Sequence, residues 1–285
     1  MKTVLAVDLG GTKTATARVN ELGEIQDRRA LPASRSVEES VEQIAAASRD
    51  VAAVGIIVPG IYTPATGMAW CPNLWGTDEV PLLGALRKRL RMGAVIDSDR
   101  SGYVLGEAWL GAARGLRHVV YVSIGTGIGA GILSEGQLLR GAGGIAGAAG
   151  WFALDPDWKE EYAQTGCWES EAAGPGIARR AGLADAKAAV AAAREGNPAA
   201  VRALDRSAGY TAMGVANLIS ALNPEAVVLG GGVMAGAGDL LLDRIRAGVA
   251  RWAQPIAARR CRIELTTLGE AAGLLGAARL ALDTL

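Results

Sequence analysis

The sequence predicts an α/β protein made of two similar domains that face each other across a cleft. Three observations support this prediction. Short apolar runs alternate with alanine-rich amphipathic stretches along the chain, which is typical of a mostly parallel sheet covered by helices. One strand-and-turn pattern occurs twice, and glycine-rich turns end several of the apolar runs.

The apolar runs are predicted to be buried strands because they are short, rich in β-formers and bounded by turn residues. In chain order they are TVLAVDL, VAAVGIIV, GAVIDS, HVVYVSIG and AVVLGGG. The stretches between them combine helical spacing with strong helix formers, which predicts helices. These are SVEESVEQIAAASRD, PLLGALRKRLR, AKAAVAAAREG, PAAVRALDRSAGYTAMGVANLISALN and LLLDRIRAGVARWAQ.

The repeated pattern indicates a duplication. Residues 3–26 and 119–141 both read strand, Gly/Thr turn, strand, glycine turn, strand. An offset of 115 residues places Gly11-Thr12 on Thr126-Gly127. Helices and strands alternate after each block. We therefore predict an N-terminal domain of residues 1–113 and a C-terminal domain of residues 114–274, with the Gly111–Gly115 stretch as a hinge.

Composition and charge exclude several classes of function. Half of the 285 residues are apolar, and Lys+Arg and Asp+Glu both number 29. This balance argues against binding to nucleic acid or to anionic membranes, which requires an excess of positive charge. The densest basic cluster ends a predicted helix, where cations are favoured, so a solvated helix end is preferred over a phosphate patch. Its members are Arg87, Lys88, Arg89 and Arg91.

Cysteine and histidine usage narrows the chemistry further. The only histidine is His118, so histidine-based metal sites and Ser/His/Asp triads are excluded. No basic region precedes an apolar one at the start, and the longest uncharged run, Ser207–Pro224, reads as a buried helix. The three cysteines are far apart and suit a reducing cytoplasm, where we expect the protein; they are Cys71, Cys167 and Cys261.

Three glycine-rich loops follow predicted strands and are the candidate ligand sites. The first fails the P-loop pattern because Thr12 precedes Lys13. The second, GTGIGA, fits a dinucleotide fingerprint, but a hairpin pattern follows it instead of a helix. Tight hairpins would explain any single loop, yet three at strand ends favour a ligand. The loops are Asp8–Lys13, Gly125–Gly129 and Gly230–Gly232.

These loops predict an ATP clamp built from two facing hairpins. Asp8 would hold Mg²⁺ through water, since Mg²⁺ keeps several waters and takes one or two carboxylates. Glycine lets backbone N–H groups approach phosphate closely. The terminal phosphates are expected at Gly10, Gly11, Thr12, Lys13, Thr126 and Gly127, and the adenine at Gly230, Gly231 and Gly232.

Eight motifs in order resemble the ROK family of bacterial sugar kinases, within the actin-like (ribonuclease H-like) fold shared with hexokinase. Single motifs are weak, but this order covers essentially the whole chain. The motifs are DLGGTKT (8–14), VPG (58–60), PNLW (72–75), DSDRSGYVLGE (97–107), SIGTGIGAGIL (123–133), LRGAGGIAGAAGW (139–151), GCWESEAAG (166–174) and NPEAVVLGGGV (223–233).

The resemblance implies an ATP-dependent kinase acting on the primary hydroxyl of a hexose-like acceptor. It assigns the catalytic base to Asp99, in preference to Asp97, and a loose phosphoryl-transfer transition state makes a carboxylate an adequate base. The alternative is that Asp99 only caps the following helix. The resemblance also implies a homodimer and a C-terminal helix, 275–285, that returns to the first domain. The implied acceptor contacts are Gly60, Asn73, Ser98, Asp99, Trp151 and Glu169.

The sequence departs from the family pattern around the sugar and the zinc loop. Ser98 replaces an asparagine beside the base, Ala148 replaces a glutamate that grips sugar hydroxyls, and Trp151 replaces a histidine that contacts sugar and zinc. The two upstream zinc cysteines fall at Glu160 and Tyr162. Structural zinc takes four N or S ligands, so we predict no zinc.

Two explanations of these departures compete. The acceptor differs from glucose around C1 to C3, as an aminosugar or a cyclitol would, or the sugar site has decayed and the protein is a sugar and nucleotide sensor. Retention of Asp8, Asp99 and Glu169 favours the active kinase. Family repressors carry a helix-turn-helix ahead of the first strand, whereas here a strand is predicted from about Thr3. Trp151 either stacks on a sugar ring or fills the volume left by zinc.

Overall fold

Two five-stranded sheets with attached helices form the fold in the computed structural model, which describes residues 1–285. The strands are β1 Thr3–Leu9, β2 Lys13–Asn20, β3 Ile25–Pro32, β4 Ala53–Val58, β5 Ile61–Thr63, β6 Met68–Trp70, β7 Gly93–Ser98, β8 Val119–Ile124, β9 Ile128–Ser134, β10 Gln137–Leu138, β11 Ala226–Gly230 and β12 Arg262–Leu265. The helices are α1 Val37–Ala47, α2 Pro72–Trp75, α3 Leu82–Arg89, α4 Asp99–Leu110, α5 Tyr162–Thr165, α6 Cys167–Ala172, α7 Gly174–Ala181, α8 Ala186–Arg194, α9 Pro198–Leu222, α10 Gly232–Trp252, α11 Pro255–Arg260 and α12 Ala271–Leu282.

The chain divides into two compact units. Unit 1 comprises Met1–Gly115, Leu138–Ala146 and Glu270–Leu285, and unit 2 comprises Leu116–Gln137 and Gly147–Gly269. The sequence placed the boundary at 113/114 and assigned a C-terminal helix from residue 275 to the first domain. In the structure that helix is α12, which begins at Ala271, and Leu138–Ala146 also folds with unit 1.

The sheet of unit 1 has the order β3-β2-β1-β4-β7. β1 to β3 are antiparallel and β4 and β7 run parallel to β1, because the short turns make hairpins and the helical connections make crossovers. One face buries its apolar side chains against α1 and α3. On the other side α12 packs against β1, β4 and α4. A Cβ on Gly276 would lie 1.8 Å from the Gly102 carbonyl oxygen, so small residues permit this close helix contact.

Unit 2 repeats the same plan. Its sheet has the order β10-β9-β8-β11-β12, with β8 and β9 antiparallel and β11 and β12 parallel to β8. The 25-residue helix α9 packs against α10, α7, α6 and α8. The predicted α/β class with two similar domains is therefore confirmed. No helix meets the length and hydropathy needed to cross a membrane.

Candidate functional site

The first candidate site lies in unit 1, where β1 ends at Asp8 and Leu9. The Asp8 carboxylate lies against the first turn of α12, since a Cβ on Gly273 would come within 2.3 Å of its Oδ2. Burial, followed by the negative charge of Asp99, raises the pKa of Asp8 to about 7 against the opposing effect of Lys13. A cation would relieve both unfavourable effects, because it favours the charged carboxylate.

The loop after Asp8 turns tightly and brings a predicted phosphate contact close to a predicted acceptor contact. The Gly10 N–H donates to the Lys13 carbonyl oxygen at 2.9 Å. A Cβ on Gly11 would be 3.6 Å from the Asn73 carbonyl oxygen, so this loop lies over α2. Thr12 and Lys13 are exposed, and Lys13 Nζ pairs with Glu270 at 3.2 Å.

The proposed base lies where β7 becomes α4. Asp99 is the first residue of α4, and its carboxylate accepts the N–H of Arg100 at 2.7 Å. The helix cap is Ser98, whose Oγ accepts the Ser101 N–H at 3.3 Å. The capping interaction that served as the alternative explanation for Asp99 therefore belongs to its neighbour.

Desolvation raises the pKa of Asp99 to about 6, although the Arg100 charge and backbone hydrogen bonds lower it. The same carboxylate influences two other groups in unit 1. Its charge helps to raise the pKa of Asp8, and it adds to burial in raising the pKa of the Cys71 thiol to about 12. Asp8, Cys71 and Asp99 are therefore electrostatic neighbours.

The VPG turn lies against the connection between β6 and α2. A Cβ on Gly60 would be 2.0 Å from the Trp70 carbonyl oxygen and 3.1 Å from the Cys71 Cα. Asn73 follows Pro72 at the start of α2, and its carbonyl oxygen accepts a hydrogen bond from Arg35. Unit 1 thus brings the predicted residues Gly11 and Asn73 together and seats Gly60 beside the same α2 connection.

The second candidate site is a cavity of about 500 Å³ in unit 2. The β8–β9 turn and the starts of α7, α8 and α10 meet there, with the Gly174 N–H donating to the Gly125 carbonyl oxygen at 2.8 Å. Several helix N-termini therefore open on one cavity, and such termini favour anions. Its lining residues are Gly125, Thr126, Gly174, Pro175, Ala178, Ala184, Asp185, Ala186, Lys187, Gly232 and Val233.

The cavity includes some of the predicted nucleotide contacts and omits others. Thr126 and Gly232 line it, whereas Gly127, Gly230 and Gly231 do not. Gly230 ends β11 against the Tyr121 ring, and Gly231 has a φ of +88° that a side chain would strain. The contributions of α7 and α8 to this cavity were not predicted from the sequence. The signal available was Gly174-Pro175, because proline favours the first turn of a helix.

The Glu169 carboxylate is hydrogen-bonded to the second glycine-rich loop. Its Oε2 accepts the Ile128 N–H at 2.7 Å, and a Cβ on Gly127 would be 2.7 Å from the same oxygen. Burial raises the pKa of Glu169, and the Ile128 hydrogen bond partly opposes this rise. The Ile128 N–H therefore holds the Glu169 carboxylate, and the absence of a side chain at Gly127 leaves room for it.

Trp151 ends a short 3₁₀ turn, Ala149–Trp151, next to Gly150. The residue is 57% exposed, so it does not fill an interior volume. Stacking on a ring remains a prediction for this residue.

A buried charge cluster holds the segment at which the resemblance places a zinc loop. Glu171 is fully buried and accepts hydrogen bonds from Lys159 Nζ at 2.6 Å, Tyr162 Oη at 2.5 Å and Arg206 Nε at 2.7 Å, and it also pairs with Arg180. Burial raises the pKa of Glu171, but these bonds outweigh it and lower the pKa to about 2. Tyr162, at one of the expected cysteine positions, is part of this cluster.

Comparison with known proteins gives one consistent family. A model of the ROK family matches residues 4–284. The chain is 30% identical over 306 residues to a glucokinase of Halalkalibacterium halodurans, covering 95% of this chain and 92% of that one. It is 34% identical over 291 residues to an N-acetylmannosamine kinase of Escherichia fergusonii, covering 98% of both.

A solved structure extends the likeness to three dimensions. The crystal structure of a ROK family glucokinase from Streptomyces griseus, in complex with glucose and AMPPNP, has a TM-score of 0.83 to this chain. The two sequences are 31% identical, and the match covers 99% of each chain. The expected family and the actin-like fold class are both confirmed by these matches.

Proposed function

Because the chain belongs to the ROK family and is an ATP-dependent carbohydrate kinase, we propose that it phosphorylates the primary, C6-type hydroxyl of a hexose or hexose-like acceptor. The observation that carries this proposal is the Asp99 carboxylate, which opens α4 and has a pKa raised to about 6. A general base works best when its pKa lies close to the operating pH. Burial therefore gives Asp99 more basicity than an exposed aspartate while leaving it mostly ionised at pH 7.

The chemical role of Asp99 is to accept the proton of the attacking hydroxyl. In phosphoryl transfer the transition state is loose, and positioning of the nucleophile contributes more than deprotonation. The hydroxyl oxygen forms a bond to the γ-phosphorus, the bond to the β–γ bridging oxygen breaks, and the hydroxyl proton goes to Asp99. The products are the acceptor phosphate and ADP.

The nucleotide is assigned to the cavity of unit 2. Its volume of about 500 Å³ lies in the range of about 300–1,000 Å³ found for small-molecule sites. The starts of α7 and α10 line this cavity, and they place the positive ends of their helix dipoles there. We assign the adenosine to this cavity and the phosphates to Thr126, Gly127 and the Gly10–Lys13 loop.

Asp8 is assigned to magnesium. Its carboxylate carries a pKa raised to about 7 by burial and by Asp99, and bound Mg²⁺ would favour the ionised form. One carboxylate with remaining water ligands suits this ion. When bound, Mg²⁺ neutralises charge on the phosphates. Close packing against the first turn of α12 keeps the Asp8 carboxylate in position.

The acceptor is assigned both to residues that match the family pattern and to residues at which this chain departs from it. Gly60, Asn73, Ser98 and Glu169 are its proposed contacts, with Trp151 stacking on a ring face. Loss of the family's glutamate and histidine removes hydrogen bonds worth about 1–3 kcal/mol each if their partners stay unpaired. We therefore propose an acceptor that differs from glucose around C1 to C3, such as an aminosugar or a cyclitol.

An ADP-release assay with Mg·ATP and an acceptor panel tests the function. The panel holds glucose, mannose, glucosamine, N-acetylmannosamine, 3-amino-3-deoxyglucose and C7 cyclitols. We expect strong turnover on one acceptor that is lost in Asp99→Asn and kept in Asp50→Asn, an exposed aspartate in a turn after α1. ATP binding without turnover on any acceptor would contradict the kinase and support the sensor.

The homodimer and the cytoplasmic location expected from the sequence belong to this proposal as well. All three cysteines are free, which agrees with a reducing compartment. Light scattering of the purified protein measures the oligomeric state. A monomer at micromolar concentration would contradict the dimer.

A further inference from the structure

An ion pair that the proposed mechanism does not use lies one residue from the base turn. Arg140 Nε donates to Asp97 Oδ2 at 2.7 Å, and the Asp97 side chain is only 7% exposed. Arg140 is 43 residues away in sequence, in the Leu138–Ala146 segment that folds with unit 1. A buried carboxylate needs such a partner, because an unpaired charge is costly to bury.

Hydrogen bonds link the Arg140–Asp97 pair to the turn that carries Asp99. Asp97 Oδ1 accepts the Ser98 N–H at 2.8 Å. Ser98 in turn caps α4 through Ser101, and Asp99 is the first residue of that helix. The orientation of the Asp97 carboxylate is therefore linked to the geometry of the turn that presents Asp99.

Arg140 is itself held in place by its segment. Its carbonyl oxygen accepts the Ala146 N–H at 2.9 Å, which closes a tight loop. Gly144, with a φ of +77°, packs so closely that an added Cβ would be 2.5 Å from the Tyr62 carbonyl oxygen of β5. The guanidinium thus reaches Asp97 from a fixed backbone, which lets it orient the carboxylate as well as neutralise it.

The charges around the β7–α4 turn also favour a role for Arg140. The turn carries Asp97 and Asp99, and Asp8 is an electrostatic neighbour of Asp99. The cations that face these carboxylates are Arg140 at Asp97, Arg100 at Asp99 and Lys13 at Asp8. Without Arg140, an unpaired negative charge would remain two residues before the base.

We infer that Arg140 is a positioning residue for phosphoryl transfer, acting through Asp97 to hold the β7–α4 turn in the geometry that aims Asp99 at the acceptor hydroxyl. This inference rests on the proposed function. Arg140 touches no reacting atom in it. Its removal should slow the chemical step and leave nucleotide binding unchanged.

The test is a double-mutant cycle on the acceptor that the panel identifies, with Arg140→Met, Asp97→Asn and the double variant. We expect Arg140→Met to lower kcat about tenfold to a hundredfold, within the range of coupling between contacting groups, with the KM for ATP unchanged. In the Asp97→Asn background the same substitution should change kcat less than about twofold. Arg140→Lys, which keeps the charge, should retain more activity than Arg140→Met.

Arg89→Met is the matched control, since Arg89 forms an exposed pair with Glu42 elsewhere in unit 1, and it should keep the kcat of the wild type. The inference is overturned if Arg140→Met keeps wild-type kcat, if its loss is equally large in the Asp97→Asn background, or if the loss lies wholly in the KM for ATP. If Arg140 had only a general structural role, its substitution would lower kcat equally in the Asp97→Asn background.

Backbone amide hydrogen exchange separates this inference from the proposed function. Wild-type protein that phosphorylates no acceptor contradicts the proposed function alone. In that case, faster exchange at residues 98–102 in Arg140→Met than in Arg89→Met supports the structural part of the inference, that Arg140 holds the β7–α4 turn. Equal exchange in the two variants overturns it.

Discussion

Glu171→Gln should destabilise unit 2 strongly, although the substitution preserves the shape of the side chain. Glu171 is fully buried and forms charged contacts with Lys159, Arg180 and Arg206. Glutamine can accept some of the same hydrogen bonds, but it removes the negative charge that the three cations share, although Lys159 keeps Asp155 as a second partner at 3.9 Å. Removing one partner of a buried ion pair costs about 3–5 kcal/mol.

The pKa of Glu171 gives an independent value for this cost. Contacts with its partners lower that pKa from 4.5 to about 2, and one pKa unit corresponds to about 1.4 kcal/mol. The ionised form therefore stabilises the fold by about 3 kcal/mol. Because the folded pKa is the lower one, this stabilisation is present above pH 4.5 and is lost as the pH falls toward 2.

Urea unfolding at several pH values measures both quantities. Tryptophan fluorescence follows unit 2 through the fully buried Trp168, and Trp70, Trp75 and Trp109 add a signal from unit 1. We expect the variant to lose about 3 kcal/mol at pH 7, and the gap between variant and wild type to narrow by about 2 kcal/mol between pH 7 and pH 3. Glu161→Gln is the control, because Glu161 is 42% exposed and pairs with Arg179, so it should cost less than about 1 kcal/mol.

Two results would refute this reasoning about the cluster. A loss below about 1 kcal/mol at pH 7 would mean that desolvation of Glu171 cancels its contacts. A gap that stays constant down to pH 3 would mean that the lost stability does not come from the ionised carboxylate. Either result would also mean that the ion pairs of Glu171 do not hold this segment in place.

Three further predictions concern the site in unit 1. Asp99→Asn should lower kcat by about 10²–10⁴ with little change in the KM for ATP, as removal of a general base does, and steady-state kinetics measure it; a smaller loss would exclude Asp99 as the base. In the wild type, kcat should fall about tenfold per pH unit below about pH 6, because protonation of Asp99, whose pKa is raised to about 6, removes the base; a flat profile down to pH 5 would contradict that role. Gly273→Ala should weaken Mg·ATP use, because the new Cβ would lie 2.3 Å from Asp8 Oδ2; an unchanged dependence on Mg²⁺ would argue against Asp8 as its site, and Gly236→Ala, with open space around it, is the matched control.

The sequence by itself predicted the features that depend on residues close together in the chain. The apolar runs TVLAVDL and GAVIDS became β1 and β7, and the repeated strand-and-turn pattern became two sheets with the same strand order. Local periodicity and turn chemistry suffice for these elements. The third glycine run shows a limit of this reasoning, since Gly231 leads into helix α10 and Gly230 packs against Tyr121.

Only the tertiary structure decided which distant residues meet. Arg140 pairs with Asp97 across 43 residues, Arg206 reaches Glu171 across 35, and the start of α7 joins the β8–β9 turn in one cavity. No periodic pattern marks such contacts, because they depend on how helices and loops pack on the sheets. The sequence thus determined the elements and the residue types at their ends. Packing decided how those residues are buried, paired and charged, since desolvation and ion pairing act between groups that only the folded chain brings together.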